Sequence, residues 1–261
     1  MLTRPFSYLI GIQYLGLRYH GWQAQKGVKT IQGTLERVFR YVMGHEDFTI
    51  LGSSRTDSGV SCLNGAFVIY LREEASWSGL LEQCNEHLPA DIRLLYAKAV
   101  DRSFNIIQHV TKKRYGYYFS LGEKPHPLQS GALAYAGRSL DFDRMRLASS
   151  LFVGRHDFRR FCTHGKQLDD FVREIFVSEL VPLGKTSVFW PSENTYVFRV
   201  DGSGFLMHQV RRMAAALFMV GRGELSVEAV KAALSDPTLS PVSPKAAAQG
   251  LVLEEVFFNE L

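Results

Sequence analysis

Two stretches of the chain run through the same order of elements without sharing sequence, and that order limits the fold more than any single motif. Phe6, Tyr8, Ile10, Ile12 and Tyr14 alternate, which is the period of a strand. Thr30 is placed to cap a helix that carries Ile31, Leu35, Val38 and Phe39 on one face, and Gly44 is placed to stop it. Residues 48–51 and 64–72 read as strands, 77–88 as a helix with Cys84 and Leu88 inward, and 92–100 as a strand. In the second half, Tyr115 to Leu121 reads as a strand, 141–153 as a helix, and 171–183 and 195–201 as strands. A long helix follows over 205–220, then a shorter one over 227–235 capped by Ser226, then a strand from Leu251 to Phe258. The expected fold class is α+β: two fused ferredoxin-like lobes (β-α-β-β-α-β), with mainly antiparallel sheets. The boundary falls near residue 105, giving lobes 1–105 and 106–261 with a central cleft of the kind that binds ligands.

The bulk numbers narrow the function classes. At 261 residues, 46% hydrophobic and 21% charged, the chain can bury a real core. A net charge of +4 permits an anionic partner, whereas a purely electrostatic nucleic-acid binder is usually more basic. Lys112-Lys113-Arg114 is the sharpest basic run, a pattern common on solvated faces. The three cysteines are widely spaced and form no Cys-x-x-Cys, which argues against a disulfide framework or a zinc site. No apolar run approaches the roughly 20 residues of a membrane span, and residues 1–14 read as a strand, not a signal peptide. A cytoplasmic protein is expected.

Two places concentrate chemistry. The first is Gly52 to Val60, a loop between two strands, dense in hydroxyls, with one cation and one carboxylate. Arg55 and Asp57 are two apart and project the same way if the loop is locally extended. Such loops also arise from turn chemistry alone. The second is the helix over 205–220, apolar nearly all round, with Arg211 and Arg212 in its middle. A buried guanidinium needs a carboxylate or several acceptors, so at least one of the two is expected to meet an internal anion, with Asp57 a candidate.

The loop resembles the signature of the tRNA pseudouridine synthase A family in Arg55-Thr56-Asp57-x-Gly59-Val60, and other motifs of that family follow in order. Tyr19-His20-Gly21-Trp22-Gln23, Thr30-Ile31-Gln32-Gly33, Lys113-Arg114-Tyr115-Gly116-Tyr117 and Gly204-Phe205-Leu206-Met207-His208-Gln209-Val210-Arg211 are among them. The resemblance implies that Asp57 is the catalytic residue and that Arg211 pairs with it. It implies that Tyr115 stands in the active site as a platform for a flipped-out uracil. Arg55 and Thr56 are carried over as substrate-binding residues, and Leu251 and Leu253 are expected to line the uracil pocket. Arg18, Lys26, Lys112 and Lys113 are expected to meet RNA phosphates. The implied activity is conversion of uridine to pseudouridine in tRNA, where the anticodon stem meets its loop. It needs no cofactor or metal, and a homodimer with each RNA held across both subunits is implied.

The sequence departs from the family pattern at five places: Ser54 replaces a Gly, Ser58 an Ala, Ser61-Cys62 His-Ala, Gln209 a Met, and Ile107 stands where a cation is usual. Ile107 and Ser61-Cys62 bear more on the RNA target than on the chemistry. A non-catalytic RNA-binding or chaperone-like protein on the same scaffold is the alternative.

Overall fold

The computed structural model describes residues 4–164, 170–183, 194–236 and 238–259. The first three residues of the expected strand 1–14 lie outside that set. Ten β-strands and five α-helices occur among the described residues, a mixed α/β architecture. The chain divides into two compact units, Met1–Thr111 with Leu253–Leu261, and Lys112–Val252.

The first unit follows the order that the sequence predicts: β1 (Phe6–Tyr14), α1 (Ile31–Met43), β2 (Phe48–Gly52), β3 (Ser61–Leu71), α2 (Trp77–His87) and β4 (Ile92–Val100). β1 lies between β3 and β4, antiparallel to both, and β2 adds antiparallel to β3. Alternation in β1 marks only one of two covered faces. Phe39 of α1 packs on Phe67 of β3, and Trp77 of α2 on Tyr8 of β1. On the opposite face Leu9, Ala66 and Val68 pack with Phe104 and Ile106. Central strands buried on both sides are what this apolar run requires.

Both ends of α1 are set by local chemistry. The Thr30 hydroxyl accepts from the Gly33 amide at 3.2 Å, and Gly44 closes the helix at φ 75°. Thr30→Ala is expected to cost about 1 kcal/mol, read as a lower denaturation midpoint with unchanged slope.

The second unit contains β5 (Val110–Leu121, its first two residues in the first unit), β6 (Ala134–Gly137), α3 (Phe142–Ser150), β7 (Gly154–Asp157), β8 (Val172–Pro182) and β9 (Thr195–Gly202). α4 (Gln209–Gly221), α5 (Val227–Ala233) and the start of β10 (Leu251–Phe258) complete it. Antiparallel pairing runs β5-β9-β8-β7, and β6 joins β5 in parallel.

α4 begins four residues later than its apolar stripe suggests. His208 sits at φ 62°, a conformation the helix cannot contain. Gln209 holds the turn: its side-chain oxygen accepts from the Leu206 amide at 2.8 Å, and its own amide donates to the Leu206 carbonyl at 3.0 Å. The Gln in place of Met thus has a structural role. Arg211 and Arg212 consequently lie in the first turn of α4 and not in its middle.

Candidate active site

The loop that carries Asp57 is fixed by the segment that follows β1. Its entry is tied down where the Ser53 amide and hydroxyl both donate to the Ala66 carbonyl, at 3.0 and 2.8 Å. Thr56 is buried, with its hydroxyl 2.8 Å from the Tyr14 phenol, and its carbonyl accepts from the Trp22 amide at 3.1 Å. Arg55 is exposed and Asp57 half-buried, the alternation expected of locally extended chain. The Val60 amide then donates to the Asp57 carbonyl at 3.2 Å, closing a turn in which Gly59 takes φ 81°. A left-handed residue at that place is what a type II turn demands.

Gly21 shows how close the two segments lie. It has φ 86°, and a Cβ there would stand 2.6 Å from the Thr56 carbonyl oxygen. The Tyr19 carbonyl receives the Gly59 amide at 3.1 Å and the Ser58 hydroxyl at 3.3 Å. Tyr19 is in turn held by Asp91, which accepts its phenol at 2.7 Å and the Arg18 guanidinium at 2.8 and 2.7 Å. Burial pushes the Asp91 carboxyl up, but the hydrogen bonds from Tyr19 and Arg18 outweigh it and hold the group below the ordinary carboxylate value. The motif Tyr19-x-Gly21-Trp22 is therefore the bed of the Asp57 loop. Asp91→Ala is expected to cost about 1–2 kcal/mol through the lost Tyr19 bond, and to lower turnover by loosening that bed. Thermal unfolding and initial rates check both parts.

Two departures in this unit have plain structural uses. Ser61 accepts the Gly16 amide at 2.9 Å. Cys62 is buried, and desolvation pushes its thiol up to about 12, so it is inert as a nucleophile. Ile107 is 60% exposed, beside the fully buried Ile106, so the position that lacks a cation faces solvent.

Tyr115 and Arg211 belong to the second unit. Tyr115, half-buried on β5, meets Phe205 edge-to-face with ring centroids 5.1 Å apart. Its neighbour Arg114 points to the other face and forks onto Asp201 of β9 at 2.8 and 2.9 Å, with Lys112 at 2.9 Å from the same carboxylate. Lys112 thus has a carboxylate partner, as does Arg18, while Lys113 is half-buried on β5. Tyr117 is fully buried and donates to the Ala247 carbonyl at 2.9 Å, as a core residue would. Arg211 donates from Nε to the Ala246 carbonyl at 2.8 Å, and the Ala246 amide returns to the Arg211 carbonyl at 3.1 Å.

Arg212 meets no carboxylate among the described residues. It bonds the Ser243 carbonyl and, at 3.4 Å, the Thr163 hydroxyl. Desolvation lowers its pKa from the usual guanidinium value. Oxygen dipoles hold this arginine where the sequence alone left a carboxylate or several acceptors open. Leu251 and Leu253 are buried on β10, at 6% and 2% exposure. The side chains of His156 and Asp157, on β7, bond close by in sequence, to the Val153 carbonyl and to Arg159. No group of three or more His, Cys, Asp or Glu suited to a metal occurs among the described residues. Nor is any helix there long and apolar enough to cross a membrane.

Sequence reasoning assigned no role to Asp91 or Asp201. Each is a carboxylate whose partners are distant in sequence or across a strand pair, and spacing alone carries no trace of that.

A family model described as tRNA pseudouridine synthase matches residues 148–259. The tRNA pseudouridine synthase A of Clostridium kluyveri is 33% identical over 247 residues, which is 95% of this chain and 97% of that protein. That of Acetivibrio thermocellus is 32% identical over 248 residues, with the same coverage, and that of Lactobacillus acidophilus is 30% identical over 262 residues, spanning 100% of this chain and 96% of its own length. These matches are to tRNA pseudouridine synthases, the class to which the Arg55-Thr56-Asp57 loop points. Within that class, the chain belongs to the tRNA pseudouridine synthase A family.

Proposed function

We propose that this chain isomerises uridine to pseudouridine in tRNA, at the anticodon stem-loop, with Asp57 as the catalytic carboxylate. The observation that carries the reading is 30–33% identity to tRNA pseudouridine synthases A over nearly the full length, on a chain that keeps the Asp57 loop with its supporting turn. A uridine stacked in a helix does not present its glycosidic bond, so the nucleotide flips out at a cost of a few kcal/mol. Phosphate contacts from basic side chains, with Arg18, Lys112 and Lys113 assigned here, offset that cost. Tyr115 stacks on the free base, a contact worth about 1–3 kcal/mol. Arg55, Thr56, Leu251 and Leu253 are assigned to substrate binding, and Arg211 to orienting the carboxylate.

The ionised Asp57 either attacks C1′ and displaces the uracil anion, or takes the C2′ proton to leave a glycal. In both routes the N1–C1′ bond breaks, the base turns, and a C5–C1′ bond forms as the Asp57–C1′ bond breaks or the C2′ proton returns; C5 loses its proton to water and N1 takes one up. Nothing is gained or lost overall. The strand orders of both halves and the β4-β1-β3-β2 arrangement support reading the lobes, 1–105 and 106–261, as ferredoxin-like units. A cytoplasmic homodimer belongs to the same proposal. Tritium release from tRNA labelled at uridine C5 tests the activity: release with the native chain is expected, and none from a tRNA that it binds tightly would favour a non-catalytic RNA-binding protein.

A further inference from the structure

The turn that supports the Asp57 loop has a second side. Residues 24–30, 33, 34, 36 and 37 wall an open concavity of about 700 Å³, which lies wholly within the first unit. Lys26, Lys29 and Arg37 line it. All three are exposed, and none has a carboxylate partner among the described residues. This sets them apart from Arg4, Arg18, Arg40 and Arg72 of the same unit, each of which is in an ion pair. Glu36 is the one acidic residue between Gln23 and Arg37, and it accepts from the Gln32 amide group at 2.8 Å. Three unneutralised cations around one hollow repel each other, a cost that an anion relieves.

The shape narrows the anion. The first backbone amides of α1 are already used: Ile31 donates to the Gly21 carbonyl, Gln32 to that of Trp22, and Gly33 to the Thr30 hydroxyl. The hollow therefore offers side-chain charge, not an amide cradle for one phosphate. No aromatic ring lines it for a base to stack on. Lys29 is steadied where its ammonium lies 4.7 Å over the Tyr19 ring, and its carbonyl accepts the His20 amide at 2.8 Å. Lys29 meets Tyr19, and Tyr19 and Trp22 hydrogen-bond the Asp57 loop directly. Spaced cations on an open, base-blind surface suit a run of sugar-phosphate backbone.

We propose that Lys26, Lys29 and Arg37 form a backbone-gripping subsite for two or three RNA phosphates beside the Asp57 loop. The proposal rests on tRNA being the substrate. It extends to Lys29 and Arg37 a role that the sequence suggested only for Lys26.

The test measures tRNA affinity against salt for the native chain, for Lys26→Gln/Lys29→Gln/Arg37→Gln, and for the control Arg144→Gln/Arg146→Gln, whose arginines, on α3, pair with Asp141 and Asp143. Circular dichroism confirms that each variant is folded. The triple variant is expected to bind on the order of tenfold more weakly or worse at moderate salt. Its log–log salt slope should be shallower by about 2–3, roughly one per lost phosphate contact, and the control should match the native chain. A triple variant with native affinity and slope overturns the subsite. If C5 tritium release by the native chain is intact in that case, the isomerase reading stands without it. Equal weakening of triple variant and control also overturns it, because the effect is then one of net charge. Failure of the native chain to bind tRNA overturns both.

Discussion

Asp57→Ala is expected to abolish release of C5 tritium from tRNA, lowering the rate by about 10⁴-fold or more, while tRNA binding persists. The size follows from role: removing the group that starts bond cleavage forfeits most of the chemical acceleration, whereas substrate binding uses other contacts. Binding should persist because phosphate contacts dominate RNA affinity and come from other side chains. Asp57→Asn keeps the shape and removes the charge, and should be equally inactive. The loop itself should survive, since its hydrogen bonds run through the Asp57 backbone, Thr56 and Gly59 rather than through the carboxylate of Asp57 alone. Undiminished release from Asp57→Ala would remove the catalytic assignment and leave family membership intact.

Asp201→Ala is expected to be the most damaging of the substitutions for stability, at about 3 kcal/mol. Asp201 is fully buried and faces Arg114 directly across the β5–β9 pair, with Lys112 on the same carboxylate. Its removal leaves two cations side by side without their anion, and breaking such a pair from one side is costly. Part of the cost is screened because both cations are about one-third exposed, at 29% and 33%. The pH dependence has a definite sign. Burial pushes the Asp201 carboxyl up, but the bonds from Arg114 and Lys112 prevail and hold it below its ordinary value. Its contribution is therefore complete above the unfolded carboxylate pKa of about 3.9 and is lost as pH falls through the depressed folded value. Urea titrations from pH 7 down to pH 3 should show the native chain losing stability faster than Asp201→Ala. Parallel loss in both would contradict the ion-pair account. Because Arg114 and Tyr115 are adjacent on β5, the same carboxylate also fixes the strand from which the proposed uracil platform projects.

The first unit was more legible than the second, for physical reasons. Thr30 and Gly44 bound α1 because caps act locally, within a turn of the residues that form them. β6 and β7 are four residues each, too short for a period to show, and β6 is set by parallel pairing with β5. The start of α4 was misplaced because apolar residues extend the stripe upstream, while the break is made by the His208 backbone and the Gln209 side chain. The Asp57 loop could be read as a loop and as a family motif. Its bed could not be derived, because Gly21, Trp22 and Tyr19 approach it only in three dimensions.

The central claim is that the chain rearranges a uridine with no net gain or loss, the proton given up at C5 being balanced by one taken up at N1. The most direct measurement is the mass and nucleoside content of a defined tRNA incubated with the native protein alone. The account predicts an unchanged tRNA mass, with one or more uridines recovered as pseudouridine. A mass lowered by the loss of uracil would show hydrolysis of the glycosidic bond instead, and would contradict it.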